Sequence, residues 1–310
     1  MSRQTNQIIN EVKKIICGKD PVIMMTLTGI LSGGHILIED VPGVGKTSLV
    51  LAFSKAMGLD YGRVQFTPDI LPSDITGFSI LDKETGTMQY QKGAVFHNMF
   101  LADELNRASS RTQSALLEAM EEGQVTIDGN TYELPKPFIV FATQNPFDAS
   151  GTSMIPDSQL DRFSIRISMG YPSVTEEKIM IKSRKGGHNP MDDIETICNI
   201  DALLQMQEEV NQMFVNDDVV SYIVDLVAKS RTHNDLAIGA SPRSSLILTS
   251  MAKAHAYLAN RNYMLPDDVQ SVFPAVMCHR LRLTQEAEVN KKTTAEVVKD
   301  ILDTVPAPKV

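Results

Sequence analysis

Eight residues, Asp40-Val41-Pro42-Gly43-Val44-Gly45-Lys46-Thr47, form the chain's most chemically specific run. They follow a short apolar segment and open a stretch of helical spacing, the strand, loop and helix setting that a phosphate-binding loop requires. In such a loop main-chain N–H groups and the positive end of the helix surround phosphate oxygens. Gly43 and Gly45 let the backbone approach, Lys46 reaches the β- and γ-phosphates, and Thr47 ligates Mg²⁺. Pro42, Val44 and Ser48 complete the nucleotide-binding set. The general pattern, G-x-x-x-x-G-K-S/T, places Gly where this chain has Asp40. That position ends the strand and does not underlie the phosphates, so nucleotide binding is expected to survive.

A second run, Met99-Phe100-Leu101-Ala102-Asp103-Glu104, is an apolar strand ending in two carboxylates. Acids often mark strand ends simply by meeting solvent, but downstream of a phosphate loop they divide two roles. Asp103 holds Mg²⁺ through its water shell and Glu104 polarises the attacking water. The next strand, Phe138 to Thr143, leads to Asn145, placed to orient that water; the plain alternative is a turn-forming Asn before proline. Arg162, in Gln159-Leu160-Asp161-Arg162-Phe163, and Arg243, in Gly239-Ala240-Ser241-Pro242-Arg243, complete the candidates. Singly, each reads sooner as a surface ion-pair partner, and only their order after the other motifs singles them out. A guanidinium on the γ-phosphate accelerates transfer by about 10³ to 10⁵. Arg162 stands too far along the sheet edge to reach its own loop and is expected to act on a neighbouring subunit. Arg243 is expected to act within its own subunit, with the lid closing over the same nucleotide.

These residues need elements to hold them. Apolar segments His35 to Glu39, Arg63 to Thr67, His97 to Asp103, Phe138 to Thr143 and Phe163 to Met169 read as buried parallel strands. Helical spacing over Thr47–Leu59 and Ser109–Glu122 makes the order strand, helix, strand, and hence an α/β sheet between helices. Two hairpins interrupt it: Phe78 to Lys92, and Gln124 to Leu134 with Asp128-Gly129-Asn130 at its tip. After Pro172 the pattern becomes helical with no convincing strand, over Glu176–Arg184, Asp201–Met213, Asp217–Ser230, Arg243–Asn260 and Asp267–His279. The expected division is a core of residues 1–172 and a smaller all-α lid of residues 173–310.

Composition bounds the function. A chain of 310 residues with net charge −9 repels polyanions unless a basic patch intervenes, and three scattered cysteines offer neither a disulfide framework nor a CxxC metal pair. No apolar stretch approaches the roughly 20 residues of a membrane span. The first residues lack a secretory signal, so a cytoplasmic protein without direct membrane insertion is expected.

The chain resembles the MoxR family of AAA+ ATPases over nearly its whole length. The carrying segments are His35 to Thr47, Gln65 to Gly77 (QFTPDILPSDITG), Leu101 to Ala108, Thr112 to Glu122 and Gly239 to Arg243. The resemblance implies a P-loop core with a five-stranded sheet, a helical lid, and ATP bound between subunits of a ring, commonly a hexamer. It makes the first hairpin the helix 2 insert and the second the pre-sensor-1 hairpin. Asn145 is then similar to sensor 1, Arg162 to the arginine finger and Arg243 to sensor 2. Ile16-Cys17-Gly18-Lys19 resembles the stretch that packs on adenine, although Lys19 stands where the family more often has Gln. Family members are thought to act as chaperone-like remodelling or activating ATPases, often with proteins carrying a von Willebrand factor A domain.

Three other functions compete. A nucleic-acid translocase would place Lys or Arg on its hairpins, whereas Gln124 to Leu134 holds no basic residue and carries Asp128 and Glu133. A magnesium-chelatase-like motor shares the architecture, but the QFTPDILPSDITG segment argues against it. A nucleotide-gated scaffold without turnover does not suit an intact Glu104.

Overall fold

The structure is a computed structural model that describes residues 3–145, 155–183 and 187–309. Helices α1 (Arg3–Ile15) and α2 (Asp20–Leu31) lead into strand β1 (Ile36–Glu39), then the glycine loop and α3 (Lys46–Ala56). Strand β2 (Tyr61–Gln65), helix α4 (Pro72–Thr76) and the hairpin of β3 (Gly77–Leu81) and β4 (Met88–Lys92) follow. Next come β5 (Met99–Asp103), α5 (Ser110–Glu122), a second hairpin of β6 (Gln124–Ile127) and β7 (Asn130–Glu133), then β8 (Ile139–Gln144), α6 (Asp157–Leu160) and β9 (Ile165–Ile167).

Five strands make one sheet in the order β2-β5-β8-β1-β9, every pair parallel. The side-chain period of two sorts its core. Ile36, Ile38, Leu101, Phe141 and Ile165 join the apolar cluster built with α1 to α3, while Leu37, Phe100, Ala102 and Val140 join the cluster under α5. Both faces of β1, β5 and β8 are buried, which is why these strands read as apolar runs, whereas the edge strand β2 exposes Arg63 and Gln65. All five expected segments lie within two residues of the strands; β2 begins and ends two residues earlier than its apolar pattern.

Both expected hairpins are present. Asp128 and Gly129, at φ 51° and 80°, close the second with the left-handed pair that suits strand twist. Tyr90 of the first stacks on Tyr132 of the second with ring centroids 3.9 Å apart, so the hairpins stand side by side.

Beyond β9 the chain is helical: α7 (Val174–Ser183), α8 (Ile200–Asn211), α9 (Asp217–Arg231), α10 (Pro242–Leu258), α11 (Pro266–Met277), α12 (Gln285–Val289) and α13 (Thr294–Thr304). Arg184, the expected end of the first of these, lies outside the described residues. Asn199, Asn216, Thr284 and Thr293 cap α8, α9, α12 and α13 by accepting from main-chain N–H groups of the first turn. A short antiparallel ribbon, β10 (Leu236–Ile238) with β11 (Arg282–Leu283), departs from the strand-free expectation. Segments of two and three residues are too short to show a period. Helix α10 packs on α2 and α11 on β9, and the lid's apolar interior continues that of one sheet face. Ser32, just before β1, donates to Met251 Sδ of α10 at 3.2 Å. The helical part therefore flanks the sheet, reaching the end where β1 begins.

Candidate nucleotide-binding site

Parallel register brings the sequence candidates to one edge of the sheet. Glu39 lies level with Gln144, and Ala102 with Ala142, so the residues that follow, Asp40, Asp103, Glu104 and Asn145, leave the C-terminal ends of three adjacent strands. That edge, where β1 separates strands reached in opposite directions, is where open α/β sheets bind ligands. A cleft of about 300 Å³ is lined there by Pro42, Gly43, Gly45, Lys46, Thr47, Ser48, Asp103, Glu104 and Asn145.

Gly43 and Gly45 have φ of 85° and 97°, a region that side chains disfavour, and Gly45 stands as the N-cap of α3 without a side-chain acceptor. The first N–H groups of α3 are thus left for a ligand. A Cβ at Gly43 would meet nothing within 4 Å, so the loop opens onto space there. Val44 is partly exposed beside it. Lys46 Nζ donates to the Asp40 carbonyl at 2.7 Å. Burial pushes its ammonium below the usual lysine range, opposed by the negative fields of Asp40, Asp103 and Glu104.

Asp40 ends the strand as expected, and its carboxylate turns toward the outer strand. Oδ2 accepts from Ser168 Oγ at 2.9 Å, Met169 N at 2.7 Å and Gly170 N at 2.6 Å, and Oδ1 accepts from Val41 N at 2.9 Å. Burial works against the charge, yet the hydrogen bonds from Gly170, Ser168, Val41 and Met169 hold the carboxyl below the usual aspartate range. The residue that replaces the usual glycine ties the loop to the end of β9.

The acid pair is oriented by residues that the motif did not name. Thr143 Oγ1 donates to Asp103 Oδ1 at 2.6 Å and accepts from Glu104 N at 2.8 Å, while Arg63 of β2 donates to Asp103 Oδ2 at 2.7 Å. The bond to Asp103 raises the Arg63 guanidinium pKa further. Glu104 adopts φ 58°, ψ 45°, a left-handed conformation unusual for a side chain and a mark of functional sites. Its carboxylate accepts from Arg107 at 2.7 Å and Gln65 at 3.4 Å. No local signal in the sequence couples Arg63 to Asp103, because their contact depends on β2 pairing with β5.

On the far side of the loop, Ile16 is buried and its Cδ1 lies 3.9 Å from where a Gly45 side chain would start. Cys17 is partly exposed, and Glu176 of α7 occupies the place a side chain at Gly18 would take. Lys19 Nζ donates to Tyr171 O at 2.7 Å, so it ties this stretch to the segment before α7. A further cleft of about 220 Å³ shares Ser48 and adds Ile15, Leu51, Met180 and Met191, which no motif singled out.

The two arginines lie elsewhere. Arg162 Nη2 is 3.1 Å from Glu121 Oε2 and Arg243 Nη1 is 2.7 Å from Glu121 Oε1, at the end of α5. Glu121 follows Met120, whose carbonyl lies 3.0 Å from Nε2 of His35, the residue before β1. Asp40 lies five positions along the strand from His35, roughly 16 Å at strand rise. Arg243 is expected from the sequence to meet its own subunit's nucleotide, and the structure places it away from that subunit's phosphate loop, at Glu121. The lid docks on α2 and β9 and carries Arg243 to the opposite end of the strands.

Among the described residues no group of three or more His, Cys, Asp or Glu could hold a metal by itself, and no helix is long and apolar enough to cross a membrane. The three cysteines are free, and burial raises the pKa of each.

Comparison with known proteins agrees with this geometry. The profile of the ATPase family associated with various cellular activities (AAA) matches residues 35–165, and that of the AAA lid domain matches residues 228–301. The chain is 41% identical to Chaperone MoxR1 of Mycobacterium tuberculosis, over 97% of this chain and 82% of that one. It is 42% identical to the protein YeaC of Bacillus subtilis, over 97% and 93%. A crystal structure of a protein from Cytophaga hutchinsonii superposes with a TM-score of 0.91 at 38% identity, covering 99% of this chain and 96% of the other.

Proposed function

Because this chain belongs to the MoxR family of AAA+ ATPases, we propose that it hydrolyses MgATP in a ring, commonly a hexamer, to remodel or activate partner proteins. The carrying observation is the convergence of Lys46, Asp103, Glu104 and Asn145 on the cleft beneath the glycine loop. The donor set suits the ligand: a hydroxyl from Thr47 and a carboxylate from Asp103 are the oxygen groups that Mg²⁺ prefers, and the space over Gly43 leaves the backbone free to approach phosphate. Bound Mg²⁺ supplies neutralisation of phosphate charge. The loop from Pro42 to Ser48 holds the phosphates, with Lys46 leaving the Asp40 carbonyl for them. Glu104 accepts the proton of the attacking water, and Asn145 orients that water. The cleft beyond Ser48, lined by Ile15, Leu51, Met180 and Met191 among polar residues and next in sequence to Ile16, Cys17 and Gly18, is the place we assign to the base.

Arg162 and Arg243 both act on the ATP of a neighbouring subunit, since they share Glu121 at the far edge of the sheet. We take the lid to begin at residue 173. The relative named a chaperone supports work on proteins, and a von Willebrand factor A domain protein is the partner class to test first. The exposed side chains of the first hairpin, Phe78, Ile80, Leu81 and Met88, are apolar, which suits a protein client more than a polyanion. A cytoplasmic location fits this reading.

Lys46→Ala should abolish nucleotide binding, whereas Glu104→Gln should bind ATP and fail to release phosphate. Hydrolysis by Glu104→Gln at the normal rate would overturn the assignment of the base. Retention of a von Willebrand factor A domain protein by the ATP-loaded Glu104→Gln protein tests the partner class.

A further inference from the structure

We propose that Arg280 is a positioning residue that fixes Arg162 of the core and Arg243 of the lid as one unit, so that both guanidiniums are presented to the neighbouring subunit together. The inference rests on the reading that these two arginines act across the subunit boundary.

Arg280 follows α11, and its side chain is 1% exposed. Its guanidinium is divided between the segment that carries Arg162 and its own neighbours Val276 and His279, the latter with Nε2 at 2.6 Å from Nη1. Nε donates to Asp161 Oδ1 at 2.8 Å, Nη2 to the carbonyls of Asp161 at 3.2 Å and Phe163 at 2.5 Å, and Nη1 to the carbonyl of Ser164 at 3.2 Å. Nη1 also donates to Val276 O within the end of α11, which anchors the fork to its own helix. Three carbonyls and one carboxylate around residue 162 are thereby held by Arg280, with His279 Nε2 also 3.1 Å from the Phe163 carbonyl. Phe163, fully buried in the opposite cluster, fixes the same segment from the core side.

Asp161 extends the clamp to the second arginine. Its other oxygen, Oδ2, accepts from Ser241 Oγ at 2.9 Å. Ser241 is the N-cap residue of α10, yet its hydroxyl makes no capping bond and is used on Asp161 instead. Arg243 sits two residues further on. Arg280, Asp161 and Ser241 thus form a chain from the end of α11 to the start of α10, with Arg162 and Arg243 leaving it toward the same carboxylate, Glu121.

Chemistry favours positioning over simple packing. A buried guanidinium is no better a filler than an apolar side chain of similar volume. Its rigid fork of five donors, however, can fix several acceptors at once, which Lys cannot do. Burial draws the Arg280 pKa down to about 10, against the attraction of Asp161, so the fork stays cationic near neutrality.

The test is Arg280→Lys, which keeps the charge and loses the fork. ATP affinity and oligomer size should stay at wild-type values while hydrolysis falls by about 10²-fold, the scale expected of an ångström-sized misplacement; melting should fall modestly, because Lys leaves some of these buried acceptors without a donor. Mixing Arg280→Lys with Lys46→Ala should restore activity, since the first supplies the phosphate loop and the second the arginines. Mixing it with Arg162→Ala should not, because both lack the same face. Ser241→Ala, a milder change, should show the same pattern at smaller amplitude and decides the matter if Arg280→Lys does not fold. Wild-type hydrolysis in both variants overturns the proposal, as does a loss that tracks ATP affinity or assembly. So does failure of Arg280→Lys to be rescued where Arg162→Ala is rescued by Lys46→Ala. If Arg162→Ala itself is never rescued in oligomers shown to be mixed, the cross-boundary reading fails first and takes this inference with it.

Discussion

Arg162 and Arg243, 81 positions apart in the chain, meet at the two oxygens of Glu121, at 3.1 and 2.7 Å. Two guanidiniums share one carboxylate at the end of α5, and neither lines the cleft of its own phosphate loop. Arg162→Ala and Arg243→Ala should each lower hydrolysis by about 10³-fold or more while leaving ATP affinity largely intact. Each should recover activity when mixed with Lys46→Ala. Rescue of Arg162→Ala alone, with Arg243→Ala inert in every mixture, would return Arg243 to its own subunit.

Asp40 tethers the loop to β9 through Ser168, Met169 and Gly170. Asp40→Ala leaves those donors without their acceptor and should cost about 2 kcal/mol or more, given ~1–3 kcal/mol for an unsatisfied buried group. The folded-state pKa lies below the ordinary 3.8, so the stabilisation from the carboxylate is complete above that value and is lost as pH falls through the lower folded value. Denaturant melts of the wild type and Asp40→Asn should therefore differ by a constant amount at neutral pH and converge only in strong acid. A gap that closes already at pH 6 would contradict this account.

His35 bridges sheet and helix, with Nε2 at 3.0 Å from Met120 O and Nδ1 accepting from Val140 N at 3.0 Å. Burial, helped by Arg243 and opposed by the Met120 bond, lowers its pKa from 6.5 to about 4. The unfolded chain takes up this proton first, so the neutral ring stabilises the fold above pH 6.5 and loses roughly 3 kcal/mol of that as pH falls toward 4. His35→Gln can keep both hydrogen bonds without titrating. Its stability should vary less between pH 7 and 5 than that of the wild type, measured by denaturant midpoint.

The second hairpin carries Asp128 and Glu133 and no Lys or Arg between Gln124 and Leu134. Anisotropy titrations with single- and double-stranded DNA at about 150 mM salt should find no affinity tighter than about 10⁻⁶ M, the upper end of non-specific binding. Sub-micromolar binding would revive a translocase.

The sequence by itself determined the loop, the acid pair, the strands and both hairpins. Each is a local signal: glycines at positive φ, apolar runs buried on both faces, and Asp128-Gly129 at a left-handed turn are written in neighbouring residues. It could not determine which side of the sheet the lid occupies. Apolar stripes on α10 and α11 record that these helices bury a face, but hydrophobic attraction has no direction, so the stripe does not say against what. Only the packing of α10 on α2 and α11 on β9 decided that Arg243 joins Arg162 at Glu121 and leaves its own phosphate loop. The same holds for Arg63 on Asp103 and for Asp40 on residues 168–170, separated by 40 and about 130 positions. Such contacts exist because parallel strands are joined by long crossovers, and their partners are fixed when the sheet closes.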